Sequence, residues 1–226
     1  MTICFLLNSP SHPICFFRYV MRILTSNVAG INSERKRTAA LSFARAFDIS
    51  FLQETKLSRD RRDLLQSCWG LSRGDVFLSG MPSARRGVVS IFQAKLNASH
   101  IFHLEDVLGQ FLINIAVIDE LSYFFINFYG DPDTDQLALA TLDRLGAALD
   151  NLSHLYHADH IVLGGDFNCV LDPQDSHSTS QKPLAEQRLQ TLLDDFDLHD
   201  VAALKSWPVR PLHTYFCHRR EVACHA

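Results

Sequence analysis

No excess of positive charge, no long apolar run and no paired cysteine framework is found in these 226 residues, and each absence removes a class of protein. The formal net charge is −4, so the chain as a whole does not attract polyanions. Any contact with nucleic acid must come from local Lys and Arg clusters, because phosphate contacts dominate such binding. Three stretches offer them: Glu34-Arg35-Lys36-Arg37, then Arg59, Arg61 and Arg62, then Arg85-Arg86. Each reads equally well as a solvated helix face or loop. The apolar runs Ile3–Leu7 and Ile14–Val20 are separated by Pro10 and Pro13. Neither approaches the roughly 20 residues that span a bilayer. With no basic start and no small-residue cleavage site, a secretory signal and a membrane partner are not expected.

The six cysteines (Cys4, Cys15, Cys68, Cys169, Cys217 and Cys224) are scattered, which suits free thiols in a reducing compartment. His213, Cys217, His218, Cys224 and His225 crowd together, but without a Cys-x-x-Cys pair a structural zinc site is not expected. Repeats and low-complexity tracts are also missing.

What is present is an ordinary globular composition, 47% hydrophobic and 20% charged, with one domain as the simplest reading. Residues 1–20 are expected to form a flexible leader and residues 21–226 the domain, since strand-like patterning begins at Met21. Met21–Asn27 and Ile49–Gln53 read as strands. Glu34–Phe47 reads as a helix behind a Ser33 cap, with Ala40, Leu41, Ala44 and Phe47 on its apolar face. A helix over about 58–69 is followed by strands at 75–79, 87–92, 99–107, 111–118 and 121–128, whose short connections suggest antiparallel hairpins and meanders. A long helix over 134–157 carries a stripe of Leu137, Leu142, Leu145, Leu149, Leu152 and Leu155. A buried strand at 160–164 precedes a last helix at 184–196, with Leu189, Leu192 and Leu193 facing inward. Strands with helices inserted between them predict an α/β fold: a layered sandwich of mixed, mostly antiparallel sheets flanked by helices.

Several of these strands end on polar residues: Asn27, Gln53-Glu54-Thr55, Asn127-Phe-Tyr129 and Gly164-Gly-Asp-Phe-Asn168. If those ends share one edge, two carboxylates, two or three carboxamides and a phenol converge where catalytic groups usually sit. Glu54 is a natural ligand for Mg²⁺, a hard cation that one carboxylate and a substrate phosphate can hold; alone it is also an ordinary exposed acid. Asn27 either supports Glu54 or forms a turn before Gly30. Tyr129 either places its hydroxyl near a phosphate or belongs to the core rim. Asp166 and Asn168, two apart in an extended segment, point the same way while Phe167 packs opposite; the plain alternative is an Asx turn. Gly164 and Gly165 leave room for a close neighbour.

The ordered runs Ser26–Ile31, Phe51-Leu-Gln-Glu-Thr-Lys56, Gly87–Ile91, Asn127-Phe-Tyr129 and Gly164-Gly-Asp-Phe-Asn168 resemble the endonuclease/exonuclease/phosphatase superfamily, with its DNase I-like fold. Leu171-Asp-Pro-Gln-Asp175 and His213-Thr-Tyr-Phe216 are similar to the endonuclease domains of LINE-like retrotransposons. The resemblance implies in-line hydrolysis of DNA phosphodiesters with Mg²⁺, or Mn²⁺ as its substitute. It implies Glu54 and Asn27 at the metal, Tyr129 and Asn168 on the scissile phosphate, Asp166 preparing the water, and Arg85 and Arg86 as contacts to DNA. It also implies an intracellular, nuclear location and a reverse transcriptase fused downstream. The family's later Arg-Ile/Leu-Asp and Ser-Asp-His motifs do not occur here, so the domain is expected to be incomplete at its C-terminus and the 226-residue chain inactive or nearly so. Losing a general acid/base His removes about 10²–10⁴ in rate. Measurable Mg²⁺-dependent nicking of supercoiled plasmid by this chain would refute that expectation. Two alternatives stay open: a phosphoesterase acting on abasic DNA, a small molecule or a lipid, and a non-catalytic remnant.

Overall fold

The computed structural model describes residues 21–169 and 182–200, together with the backbone of three strands at 2–7, 213–217 and 222–225. In chain order the elements are β1 (Thr2–Leu7), β2 (Ile23–Asn27), α1 (Glu34–Ala44), β3 (Ile49–Gln53), α2 (Arg62–Trp69), β4 (Gly74–Ser79), β5 (Val88–Gln93), β6 (Ser99–Glu105), β7 (Phe111–Ile118), β8 (Leu121–Tyr129), α3 (Asp135–Leu155), β9 (His160–Asp166), α4 (Pro183–Asp195), β10 (Leu198–Asp200), β11 (His213–Cys217) and β12 (Val222–His225).

Two sheets form the centre. One runs β10-β1-β9-β8-β7-β6 and the other β2-β3-β5-β4, while β11 and β12 pair with each other. Among the described strands, β2–β3 and β8–β9 pair in parallel and the other pairings are antiparallel. Those two parallel pairs are the ones joined through α1 and α3, because a parallel return needs a crossover of a dozen or more residues. The mixed, mostly antiparallel sandwich expected from the sequence is therefore the fold found. In the leader, Thr2–Leu7 lies between β9 and β10 as a strand, with Thr2 opposite Asp166. The other leader residues, the Leu171–Asp175 run and the side chains of the C-terminal His/Cys group lie outside the described residues. Cys68 and Cys169 are free thiols.

Strand alternation sorts the side chains into three packed layers. On β8, Phe124, Ile126 and Phe128 face α3 and α4, whereas Tyr123, Phe125 and Tyr129 face the other sheet. Phe51, Phe77 and Phe92 meet them from the opposite sheet. Leu41, Leu52, Leu65 and Trp69 fill the third layer, under α1 and α2. Ser33 and Thr134 cap α1 and α3 by accepting from the backbone N–H groups of Lys36 and Leu137, at 3.4 and 3.2 Å.

The stripe on α3 differs from the leucine pattern. Its buried face runs through Ala138, Leu142, Leu145, Leu149 and Leu152, in steps of four and three. Leu137 lies one residue off that face and is 46% exposed; Leu155 ends the helix and is 74% exposed. Leu149→Ala is therefore expected to cost about 2–5 kcal/mol in chemical denaturation. Leu155→Ala should stay within about 0.5 kcal/mol of the parent.

The same alternation places two carboxamides between the sheets. Gln53 follows Phe51, and Asn127 follows Phe125, on the inward face. Both are fully buried, and Gln53 Nε2 donates to Asn127 Oδ1 at 2.7 Å. Asn127 Nδ2 donates to the Val89 carbonyl at 2.8 Å, and Gln53 Nε2 also reaches Thr25 Oγ1 at 3.1 Å. Asn127 thus clasps the two sheets together instead of joining the strand-end group. Asn127→Ala would remove a buried acceptor of Gln53 Nε2 and a donor to the Val89 carbonyl, at about 2–3 kcal/mol, read as a lowered denaturation midpoint.

Candidate active site

The C-terminal ends of β2, β3, β8 and β9 meet at one end of the sandwich, and inward-facing parity selects what they present. Asn27 ends β2 on the inward face, two residues after Thr25. Tyr129 ends β8 in the same way, two residues after Asn127. Asp166 ends β9, directly in register with Tyr129. Asn27 Nδ2 donates to Asp166 Oδ2 at 2.8 Å and to Glu54 Oε1 at 3.1 Å. Tyr129 donates its hydroxyl to Glu54 Oε1 at 2.7 Å. Four of the residues singled out in the sequence are therefore joined side chain to side chain.

Glu54 reaches this group against its strand parity. It follows the inward Gln53, so continued alternation would aim it toward α1. Its φ of +51° turns the chain instead, and Lys56 at φ +55° completes the reversal. Non-glycine residues in this region cost on the order of 1–3 kcal/mol and cluster at functional sites. Three backbone bonds hold the turn against the end of β2: Val28 N–H to Gln53 O at 3.0 Å, Gly30 N–H to Glu54 O at 2.7 Å, and Ile31 N–H to Thr55 O at 2.9 Å.

Asn168 also has a positive φ, +51°, so the expected extended alternation stops at Phe167. Phe167 packs into the core as expected. The backbone N–H of Asn168 donates to Asp166 Oδ1 at 3.3 Å, and its Nδ2 donates to the Gly130 carbonyl at 2.9 Å. The Asx turn weighed as the plain reading is present, and it is what seats Asn168 beside Asp166.

Electrostatics follow from this wiring. Partial burial works to raise the Glu54 pKa. The hydrogen bonds from Asn27 and Tyr129 and the nearby Lys56 ammonium outweigh it, so the carboxyl titrates below its usual range. The Tyr129 phenol is pushed well above its ordinary value, first by burial, then by its bond to Glu54 and the charges of Glu54 and Asp166. It remains a protonated donor at neutral pH.

The two arginines part company. Arg85 is exposed on the loop between β4 and β5. Arg86, next to it, is anchored on the buried carboxylate of Asp131, which Gln110 also approaches at 3.4 Å. Asp131 in turn accepts the buried Lys182 ammonium on its backbone carbonyl at 2.6 Å. Sequence reading did not single out Asp131, Lys182 or Lys56. The run Gln-Glu-Thr-Lys56 was the one available signal for the last.

Among the described residues no three His, Cys, Asp or Glu side chains group as a metal-binding set. The donors at the strand ends are two carboxylates and two carboxamides, all hard oxygen ligands or supports for them. A cation that keeps part of its water shell needs no more than one or two protein carboxylates, so the residues fit Mg²⁺ or Mn²⁺.

The fold is thus a two-sheet sandwich with Glu54 and Asp166 joined through Asn27 at its strand ends. The chain belongs to the Endonuclease/Exonuclease/phosphatase family, whose pattern matches residues 24–219. Members of that family are generally dependent on a divalent metal. The chain is 26% identical over 185 residues to the Transposon TX1 uncharacterized 149 kDa protein of Xenopus laevis; this covers 80% of the chain and 14% of that protein. An AP endonuclease from Archaeoglobus fulgidus shares the fold over 90% of this chain and 85% of its own, with a TM-score of 0.66 and 20% identity. The AP endonuclease LMAP from Leishmania major does so over 90% and 78%, with a TM-score of 0.63 and 15% identity. No helix among the described residues is long and apolar enough to cross a membrane.

Proposed function

We propose that this chain is a retrotransposon-type endonuclease domain, built for nicking DNA by phosphodiester hydrolysis with Mg²⁺ as cofactor and Mn²⁺ as its substitute, and that turnover by these 226 residues is impaired because the Arg-Ile/Leu-Asp and Ser-Asp-His motifs do not occur in them. The single observation that carries the reading is the Asn27 amide bridging Glu54 and Asp166 while Tyr129 donates to Glu54. Likeness to a transposon protein favours DNA over a small molecule or lipid as substrate, and a reverse transcriptase is the companion activity this reading proposes. Access to chromosomal DNA would then require a nuclear site.

Each residue has a defined task in that reaction. Glu54, with Asn27 holding its orientation, would ligate the cation. When bound, the cation supplies positive charge against the phosphate and the leaving oxygen. Asp166, kept in place by Asn27 and the Asn168 backbone, accepts the proton of the attacking water. Tyr129, protonated at neutral pH and donating to Glu54, would offer its hydroxyl to a phosphate oxygen. The amide of Asn168 lies one turn from Asp166, where it would donate to the same phosphate. Arg85 lies on the rim for the flanking strand; Arg86 adds charge while braced by Asp131.

The test is binding of a short DNA duplex to the 226-residue chain with and without Mg²⁺. Mg²⁺ is expected to strengthen binding in the parent and to have no effect in Glu54→Gln. Arg85→Ala should weaken binding at low salt and flatten its salt dependence by about one phosphate contact. Duplex affinity indifferent to Mg²⁺ in the parent would count against the proposal.

A further inference from the structure

The two oxygens of Glu54 are not equivalent. Oε1 accepts from Asn27 and from Tyr129, at 3.1 and 2.7 Å. Oε2 faces the Lys56 ammonium at 3.6 Å, longer than a normal hydrogen bond. Lys56 does not arrive there by chance of a floppy side chain. Its backbone has φ +55°, and its stem lies over Gly30, where a Cβ would come within 3.2 Å of Lys56 Cδ. Gly30 itself has φ +89° and donates its N–H to the Glu54 carbonyl at 2.7 Å. The stem packs beside Gly30, while the Lys56 side chain is 43% exposed, so its head can move.

Resting on the reading of Glu54 as the cation's ligand, we propose that Lys56 is a positioning residue, a resident ammonium that occupies the Glu54 Oε2 side until a divalent cation and a substrate phosphate arrive together. A cation at Oε2 would meet the Lys56 charge at short range, and like charges there repel. Lys56 therefore weakens binding of free cation. A phosphate offers the displaced ammonium a new partner, since Lys binds phosphate as a movable point charge. Loading of metal becomes coupled to the presence of the phosphodiester, and the chain does not hold metal tightly without DNA.

The experiment is a Mn²⁺ titration of the full 226-residue chain, followed by water-proton relaxation, with and without a short DNA duplex. Variants are Lys56→Met, Lys56→Gln, Lys56→Arg and Glu54→Gln, each checked by thermal melting. Without DNA, Lys56→Met and Lys56→Gln should bind Mn²⁺ about tenfold more tightly than the parent, as expected from removing a unit charge near a divalent ion. Lys56→Arg should behave as the parent, and DNA should tighten Mn²⁺ binding less in the two neutral variants. Unchanged or weaker Mn²⁺ binding in both neutral variants overturns the role of Lys56, because a merely structural lysine loses affinity when removed. Mn²⁺ binding retained in Glu54→Gln overturns the underlying assignment of Glu54 instead.

Discussion

Glu54→Ala is expected to lower Mn²⁺ affinity by at least about a hundredfold, the upper end of what losing even an outer-shell partner costs. The reasoning is one of charge and geometry. Glu54 is the carboxylate on which Asn27, Tyr129 and Lys56 all converge, at 3.1, 2.7 and 3.6 Å. It is also held ionised, since those partners outweigh the desolvation that opposes them. Alanine removes the ligand and leaves the buried Tyr129 hydroxyl without its acceptor. Asp166→Ala removes the second acceptor of Asn27 and should weaken binding less, because Asp166 is assigned to the water. Equilibrium dialysis with Mn²⁺ reads both variants. Equal loss in the two would mean that both carboxylates bind the ion directly.

The second large effect is on stability. Gly165→Ala is expected to lower the melting temperature by roughly 6–12 °C, corresponding to about 3 kcal/mol for a chain of this size. A Cβ at Gly165 would lie 1.9 Å from the Phe128 carbonyl oxygen and 2.7 Å from its carbon, both backbone atoms that cannot swing aside. β8 and β9 would have to separate where Tyr129 and Asp166 are in register. Loss of stability should therefore come with loss of Mn²⁺ binding, unlike Leu149→Ala, which weakens the core away from the strand ends. Thermal denaturation followed by circular dichroism measures the first part, and the Mn²⁺ titration the second.

The contrast between these two positions explains what was legible in the sequence. Gly165 was readable as a close approach because glycine next to glycine in a buried strand has few other reasons. Asn27, Tyr129 and Asp166 were legible as polar ends of strands, and regular alternation along β2, β8 and β9 is what turns all three inward. Glu54 joins the group for a reason the sequence pattern does not carry. Its parity points away from the site, and only a left-handed backbone, which no residue type at that position announces, brings it back. Asn168 was expected by alternation and arrives through an Asx turn. Asn127 looked like one more polar strand end, yet burial between two sheets makes it a clasp, because an unpaired amide there must find partners. The Leu137 and Leu155 errors came from reading leucine rather than phase along α3. Arg86 reads as a surface charge until Asp131, 45 residues later, is seen beneath it.

A crystal of the chain grown with a short DNA duplex and Mn²⁺ and measured for anomalous scattering tests the central assignment most directly. The expected result is one peak about 2.1 Å from a Glu54 carboxylate oxygen, with Asp166 on the same rim and Asn27 between them. A peak away from Glu54, or the two carboxylates separated by packed side chains, would contradict it.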